Sequence, residues 1–370
     1  MSLRHLIAAF ALITIACPLT WSHAQETPRA RNVILITLDG MRTQEMFGGL
    51  DLDVLRSVTK KDDPVEEAPV YKAFWAPTPE ARRTKLMPFF WGEWMARHGS
   101  IAGNRALGSR FAVTNTHRFS YPGYSEILTG AAHDAVIDSN DNRRYEFPTV
   151  LEVLREQLNL PRERVAAFGS WETFNWIAEH SEGAIVVNAG YEAMDGPGDV
   201  RELSAAQFET LSPWDTVRFD MYTFRLAMAH LASARPQVLY LALGETDDWA
   251  HGKRYDRTLQ SIHRTDAYFR ELWTWLQNDP EYRDNTAILI TVDHGRGPTP
   301  ADWHTHGKDV TAAEQTWLAA IGPDWPKRGE WKDAPDALAN QVAATLARAA
   351  GVELRTALPG AGAPIEYLER

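Results

Sequence analysis

Three apolar runs of this chain end in side chains that ligate metals. Residues 33–38 run into Asp39-Gly40, residues 238–243 into Gly244-Glu245-Thr246-Asp247-Asp248-Trp249-Ala250-His251, and residues 287–292 into Asp293-His294-Gly295. Each ending also has a plain structural reading. Asp39-Gly40 makes a turn. Asp247 and His251, four apart, make a helix cap and a surface His. Asp293-His294 makes a turn with a satisfied ring. Their coincidence at three strand ends points to chemistry, because active sites of open α/β sheets gather outside the carboxyl ends of the strands. Carboxylate and imidazole donors without Cys suit Zn²⁺ or Mn²⁺ rather than a structural thiolate site.

Two further segments offer reactive groups. In THRFSYPGYSEILTG, residues 116–130, Ser120 precedes a Pro122-Gly123 turn from which a helix can start. A Ser there faces free N–H groups and the positive end of a helix dipole, which suit an anion or an alkoxide; the plain reading is an N-cap Ser. In ADWHTHGKDVTAAEQTWLAAIGP, residues 301–323, His304 and His306 flank Thr305. Either is a ligand or a surface residue.

Strands must bring these groups together. The apolar runs 33–38, 165–169, 184–188, 238–243, 287–292 and 317–321 read as strands of a covered parallel sheet. Stretches 85–98, 215–234, 254–277 and 334–349 have helical spacing. This alternation predicts an α/β domain with helices on both faces. The charged, Pro-containing segment 60–83 reads as a surface excursion, and the tail 357–370 is rich in Gly, Ala and Pro. No repeat, heptad or Gly-Ser linker interrupts the pattern, so a single domain with elaborated loops fits the 370 residues, 44% of them hydrophobic. With 49 acidic against 38 basic residues and a net charge of −11, the chain is not expected to bind nucleic acid as a module. The 14 Trp residues fill core and loops, with a few available to line a cleft.

The N-terminus, MSLRHLIAAFALITIACPLTWSHAQE, reads as a secretory signal. Arg4 makes the n-region, residues 6–16 the h-region, and cleavage after Ala24 leaves a mature domain of residues 25–370. The apolar run is too short to span a bilayer. Cys17 is the only cysteine, so the mature chain has no thiol ligand or disulfide. Residues 14–17 also read as a weak lipobox, which would make Cys17 a lipid anchor. The expected location is periplasmic or secreted, with the lipoprotein as alternative and the oligomeric state open.

The ordered set of Asp-Gly after the first strand, Ser in a Pro-Gly turn ending Leu-Thr-Gly, Asp-x-x-x-His, Asp-His-Gly and His-Gly before a strand resembles the alkaline phosphatase superfamily. That superfamily includes nucleotide pyrophosphatase/phosphodiesterases and phosphoglyceromutase-like proteins. The resemblance covers residues 32–323. It implies a three-layer α/β/α sandwich with a mostly parallel sheet and two divalent ions, Zn²⁺ first and Mn²⁺ as the alternative. Asp39, Asp293 and His294 would hold one ion, with Ser120 as exchangeable ligand. Asp247, His251 and His306 would hold the other, His306 being preferred to His304 because Gly307 follows it. It also implies a small phosphate ester as substrate and a covalent phosphoserine on Ser120. Three carboxylates and an alkoxide match the four charges of two divalent ions, whereas alone the carboxylates repel and raise one another's pKa.

Departures narrow the reading. Tyr124 stands where a sulfatase would have Arg, and the stretch between Ser120 and Asp247 is short for a mutase insert. Asn140 lies where relatives place an Asn that binds a phosphoryl oxygen, with Asn142 as fallback. Arg118 and Arg296 are candidate donors to the extra charge of a monoester, and Trp249 and Trp303 candidate walls for a diester's second group. A Ser nucleophile leans the expectation to phosphomonoesters. Diester or pyrophosphate hydrolysis, sulfate or phosphonate ester hydrolysis, and a non-catalytic metal-binding homologue stand as alternatives.

Overall fold

A computed structural model describes residues 31–368. The expected signal segment and Cys17 lie outside them. The main sheet has eight strands: β1 (Asn32–Leu38), β2 (Gly99–Ala102), β3 (Val165–Gly169), β4 (Val186–Ala189), β5 (Val238–Leu243), β6 (Thr286–Thr291), β7 (Leu318–Ile321) and β8 (Gly329–Glu330). Their spatial order is β8-β2-β7-β6-β1-β5-β3-β4. All pairings are parallel except those of β7 with β6 and with β2.

Every residue of β1 is buried, as a central strand covered on both faces requires. Its side chains alternate between two cores. Ile34, Ile36 and Leu38 join a layer built from α3 (Asp220–Ala234) and α5 (Tyr255–Asn278), including Leu226, Leu259 and Phe269. Val33 and Leu35 join the opposite layer of α1 (Ser120–Thr129), α2 (Val150–Gln157) and α6 (Val342–Ala349). This is the expected three-layer α/β/α sandwich. Short α4 (Glu245–His251) leaves the tip of β5 directly.

Element boundaries differ from the sequence reading in definable ways. Segment 60–83 is no mere excursion: it holds helices Pro69–Phe74 and Pro79–Leu86, and Val70 and Phe74 are buried in the core. The helical stretch 85–98 is broken before Phe90–His98, which winds in wider i→i+5 turns; Pro88, lacking an N–H, stands at the break. Within 215–234 only Asp220–Ala234 is helical, and within 334–349 only Val342–Ala349 forms an α-helix. Strands β2 and β8 carry too few apolar residues to announce themselves. No helix among the described residues is long and apolar enough to cross a membrane.

Candidate active site

Register places the first ligand set. Leu38 of β1 pairs with Leu243 of β5, and Thr37 with Thr291 of β6, so the residues after each strand emerge at one level. Asp39 and Asp293 therefore stand side by side. Gly40 adopts φ +54°, and its N–H donates to Asp293 Oδ1 at 3.0 Å. A Cβ at Gly40 would lie 2.8 Å from both Asp247 Oδ1 and Arg296 Nε, so glycine is required there by conformation and by space.

His294 Nε2 lies 3.3 Å from Asp39 Oδ1, 3.4 Å from Asp293 Oδ2 and 3.7 Å from Asp247 Oδ1. Its Nδ1 is 2.9 Å from the Gly295 carbonyl oxygen, which can only accept. With Nδ1–H donating, the neutral ring presents its Nε2 lone pair to three carboxylates, a repulsive arrangement unless a cation or proton lies between. Asp39 Oδ1, Asp293 Oδ2 and His294 Nε2 are buried and make no hydrogen bond. Burial, and then Asp39, push the Asp293 carboxyl up to about 8. Burial pushes the His294 imidazole down, but Asp293 and Asp39 outweigh it and raise it to about 9. A divalent ion between these groups would replace the proton that these surroundings favour and stabilise the ionised carboxylates with a neutral His294.

Helix α4 places the second set. Asp247 and His251 are one turn apart on one face, with His251 Nε2 3.1 Å from Asp247 Oδ2. His306 Nε2 is 3.0 Å from His251 Nε2 and 3.9 Å from Asp247 Oδ1, and its ring stacks on His294 at 4.0 Å. Burial, with the neighbouring His294 and Arg296, holds His306 well below the usual imidazole range, in the neutral form that ligates. Ligand atoms of Asp39, Asp293 and His294 lie within 4.8 Å of one another, as do those of Asp247, His294 and His306. The two sets therefore adjoin through His294. His304 stays outside, its ring against Trp303 and its carbonyl accepting from Arg296.

Helix α1, which starts at Ser120, docks on this cluster through Gly123 and Tyr124. Tyr124, one turn along from Ser120, donates its hydroxyl to Asp39 Oδ2 at 2.9 Å. Burial, then Asp293 and Asp39, raise the Tyr124 phenol well above its usual value, which keeps it a donor. Gly123 lies so close to Asp293 that a Cβ would come 2.2 Å from the Asp293 carbonyl oxygen. Ser120 is 6% exposed and is the first helical residue. Asn140 Oδ1 caps this end from outside the helix, accepting from Tyr121 N–H at 2.9 Å, while its own amide N–H₂ faces no protein acceptor among the described contacts. Asn142 is instead tied to Glu172 and Thr173.

The remaining candidates are engaged elsewhere. Arg296 is 2% exposed; it donates to the carbonyls of His304 and Asp247 and is ion-paired with the Asp247 carboxylate. Arg118, at φ +56°, turns its guanidinium to Glu314 and the Lys308 carbonyl. Trp303 is no cleft wall: it is 2% exposed and packs edge-on against Tyr255 in the core. Trp249 is two residues from both Asp247 and His251 on α4, so it faces away from them, against Trp214 and Glu245. Tyr124 and Thr246, whose hydroxyl donates to the Asp39 carbonyl, contact the cluster without any chemical signature in the sequence.

Residues 129–359 match the family described as type I phosphodiesterase / nucleotide pyrophosphatase, well over half the chain. The chain belongs to that family. That membership makes it a phosphoric ester hydrolase. The matched stretch contains Asp247, His251, Asp293, His294 and His306, while Asp39 and Ser120 precede it. Among solved structures, the alkaline phosphatase PafA aligns over 93% of this chain and 99% of its own, with TM-score 0.58 and 10% identity. Phosphonate monoester hydrolase SpPMH from Silicibacter pomeroyi aligns over 91% of this chain and 76% of its own, with TM-score 0.54 and 14% identity. Lipoteichoic acid synthase LtaP from Listeria monocytogenes aligns over 88% and 72%, with TM-score 0.53 and 10% identity. At such identities the likeness is one of fold. No curated protein sequence matches the chain.

Proposed function

We propose that this phosphodiesterase-family enzyme cleaves phosphate esters by attack of Ser120, with one divalent ion held by Asp39, Asp293 and His294 beside Ser120 and a second by Asp247, His251 and His306. The carrying observation is the meeting of Asp39 Oδ1, Asp293 Oδ2 and His294 Nε2, all buried, unpartnered and facing one another. A divalent ion can engage all three donors at once where a proton cannot, and their oxygen and nitrogen atoms suit Zn²⁺ or Mn²⁺. Bound metals supply a lowered pKa for the attacking hydroxyl and positive charge for the attacking and leaving oxygens.

The chain's own residues do the rest. Tyr124 and the Gly40 N–H hold the Asp39 and Asp293 carboxylates in orientation. The Gly295 carbonyl fixes the His294 tautomer. Ser120 Oγ attacks phosphorus and the alcohol leaves, giving a phosphoserine; water then attacks that phosphorus and releases Ser120. The helix dipole of α1 favours the anionic phosphoryl group at its N-terminus, and the Asn140 amide donates to a phosphoryl oxygen.

For substrate charge the geometry favours diesters over the monoester lean of the sequence. Arg118 and Arg296, the donors offered for a dianion, are both engaged by protein acceptors. The monoester reading keeps the Ser nucleophile in its support. The test is kcat/KM for an aryl phosphate monoester, its methyl diester, and the matching sulfate and phosphonate esters, with added Zn²⁺ or Mn²⁺. The diester should be preferred. Preference for the monoester, eroded by Arg118→Ala or Arg296→Ala, reverses the substrate assignment. Unchanged turnover in Ser120→Ala overturns the covalent route.

A further inference from the structure

Helix α4 carries Asp247 and His251, yet its own sequence provides no side-chain cap: Gly244 occupies the cap position. The cap comes from another element. Asp220, first residue of α3, accepts from the Gly244 N–H at 2.8 Å through Oδ1 and from the Glu245 N–H at 3.2 Å through Oδ2. Glu245, first residue of α4, returns the contact by accepting from the Asp220 N–H at 2.9 Å through Oε1. Two helix N-termini thus cap each other reciprocally, each carboxylate lying at the positive end of the other's dipole. The joint is 2% exposed at Asp220 and is anchored to the sheet. Ser170, which follows β3, donates its hydroxyl to Asp220 Oδ1 at 2.6 Å, and its N–H donates to the Ala242 carbonyl of β5 at 2.9 Å. Thr223 Oγ1 lies 2.9 Å from Ser170 Oγ and accepts from buried Arg218 at 2.9 Å.

We infer that Asp220 is a positioning residue for the Asp247–His251 pair, fixing the angle at which α4 leaves the sheet and so the affinity of the ion those residues hold. This rests on the two-metal reading above. The asymmetry between the two ligand sets is what makes the inference specific. Asp39, Asp293 and His294 are placed by strand register and by short segments that follow β1 and β6. Asp247 and His251 depend on a single short helix, whose far end lies about 9 Å from its start at 1.5 Å per residue. Loosened at its first turn, where the Thr246 hydroxyl on the Asp39 carbonyl would still tie it to the strand end, that helix moves His251 most. Asp220 touches neither ligand, so its effect runs through α4 alone.

The experiment is a Zn²⁺ and Mn²⁺ titration by calorimetry of the chelator-treated full chain, with bound metal counted by elemental analysis. It compares wild type with Asp220→Ala, Asp220→Asn and Ser170→Ala. Wild type should bind two ions. Asp220→Ala should keep one tightly and lose affinity for the other by about tenfold or more, the range for residues that support metal ligands. Added metal should restore much of its activity. Ser170→Ala should shift the same site less, and it and Asp220→Asn carry the test if the Ala variant does not fold. A purely structural role would lower Tm and leave the two-step titration unchanged. Two wild-type-like affinities in folded Asp220→Ala and Ser170→Ala overturn the inference alone. Parallel weakening of both sites overturns it too. A wild type that binds no divalent ion overturns the two-metal reading, and this inference with it.

Discussion

His306 and His304 are chemically identical and two residues apart, yet their surroundings differ. The His306 ring stacks on His294 and meets His251, while the His304 ring lies beside Trp303 and contributes its backbone carbonyl to Arg296. His306→Ala should therefore lower bound metal and kcat/KM by tenfold or more, whereas His304→Ala leaves both within about twofold. Elemental analysis and turnover of the two variants check this, and the opposite ranking would move the ligand assignment to His304. Tyr124→Phe probes the same scale. It removes the donor to the buried Asp39 carboxylate and should cost about 1.5–3 kcal/mol of stability, the range for hydrogen bonds to charged groups, measurable by urea unfolding. With metal bound, a smaller loss is expected, because the ion then satisfies the same carboxylate.

Helix α1 carries Ser120, the proposed nucleophile, and Gly123 sets how closely the helix docks. The atom that a new Cβ would meet is the Asp293 backbone carbonyl, which cannot swing aside as a side-chain tip can. Gly123→Ala should cost about 1–3 kcal/mol through overpacking. It should also reduce kcat more than KM, because Ser120 and Asp293 are pushed apart together. Chemical denaturation and steady-state kinetics measure the two effects, and a stable, fully active variant would show that Ser120 does not need this close approach. The sequence reading puts a Pro122-Gly123 turn before the helix, whereas both residues lie inside α1, which already starts at Ser120; proline is tolerated in a first helical turn, and the glycine's contact with a strand end far away in the chain leaves no mark in the local pattern. The broken helix around Pro88 and the late start of α3 at Asp220 are misjudged for a related reason. Apolar spacing continues through both segments, while proline and tertiary caps decide where helical bonding begins and stops.

At the scale of the whole molecule, the proposed ions would couple their binding to folding through the buried carboxylates of Asp39 and Asp293. Stripping the ions with a chelator should lower Tm by several degrees, and adding Zn²⁺ or Mn²⁺ should restore it. An ion at a hundred times its Kd stabilises the folded state by about 2.7 kcal/mol. A Tm indifferent to chelation would count against tight divalent binding. Export is a separate expectation from residues 1–24: intact mass of the exported protein should begin at Gln25, and a lipid-modified Cys17 at the terminus would mark the anchored alternative.

The strand-end candidates Asp39, Asp247, His251, Asp293 and His294 stand out in the sequence because a buried run must be apolar, so a carboxylate or imidazole at its tip contrasts with it, and the fold brings them close together. The α/β alternation and the three layers followed from the same periodicity. Tertiary structure alone decided that His294 adjoins both donor sets, that Arg296 serves Asp247 rather than an open cleft, that Trp303 is core, and that Asp220 caps α4 from another helix. Periodicity reports which face of an element is buried. It carries no information on which distant residue meets that face, because hydrogen bonds and ion pairs across the fold depend on register and helix docking rather than on neighbours in the chain.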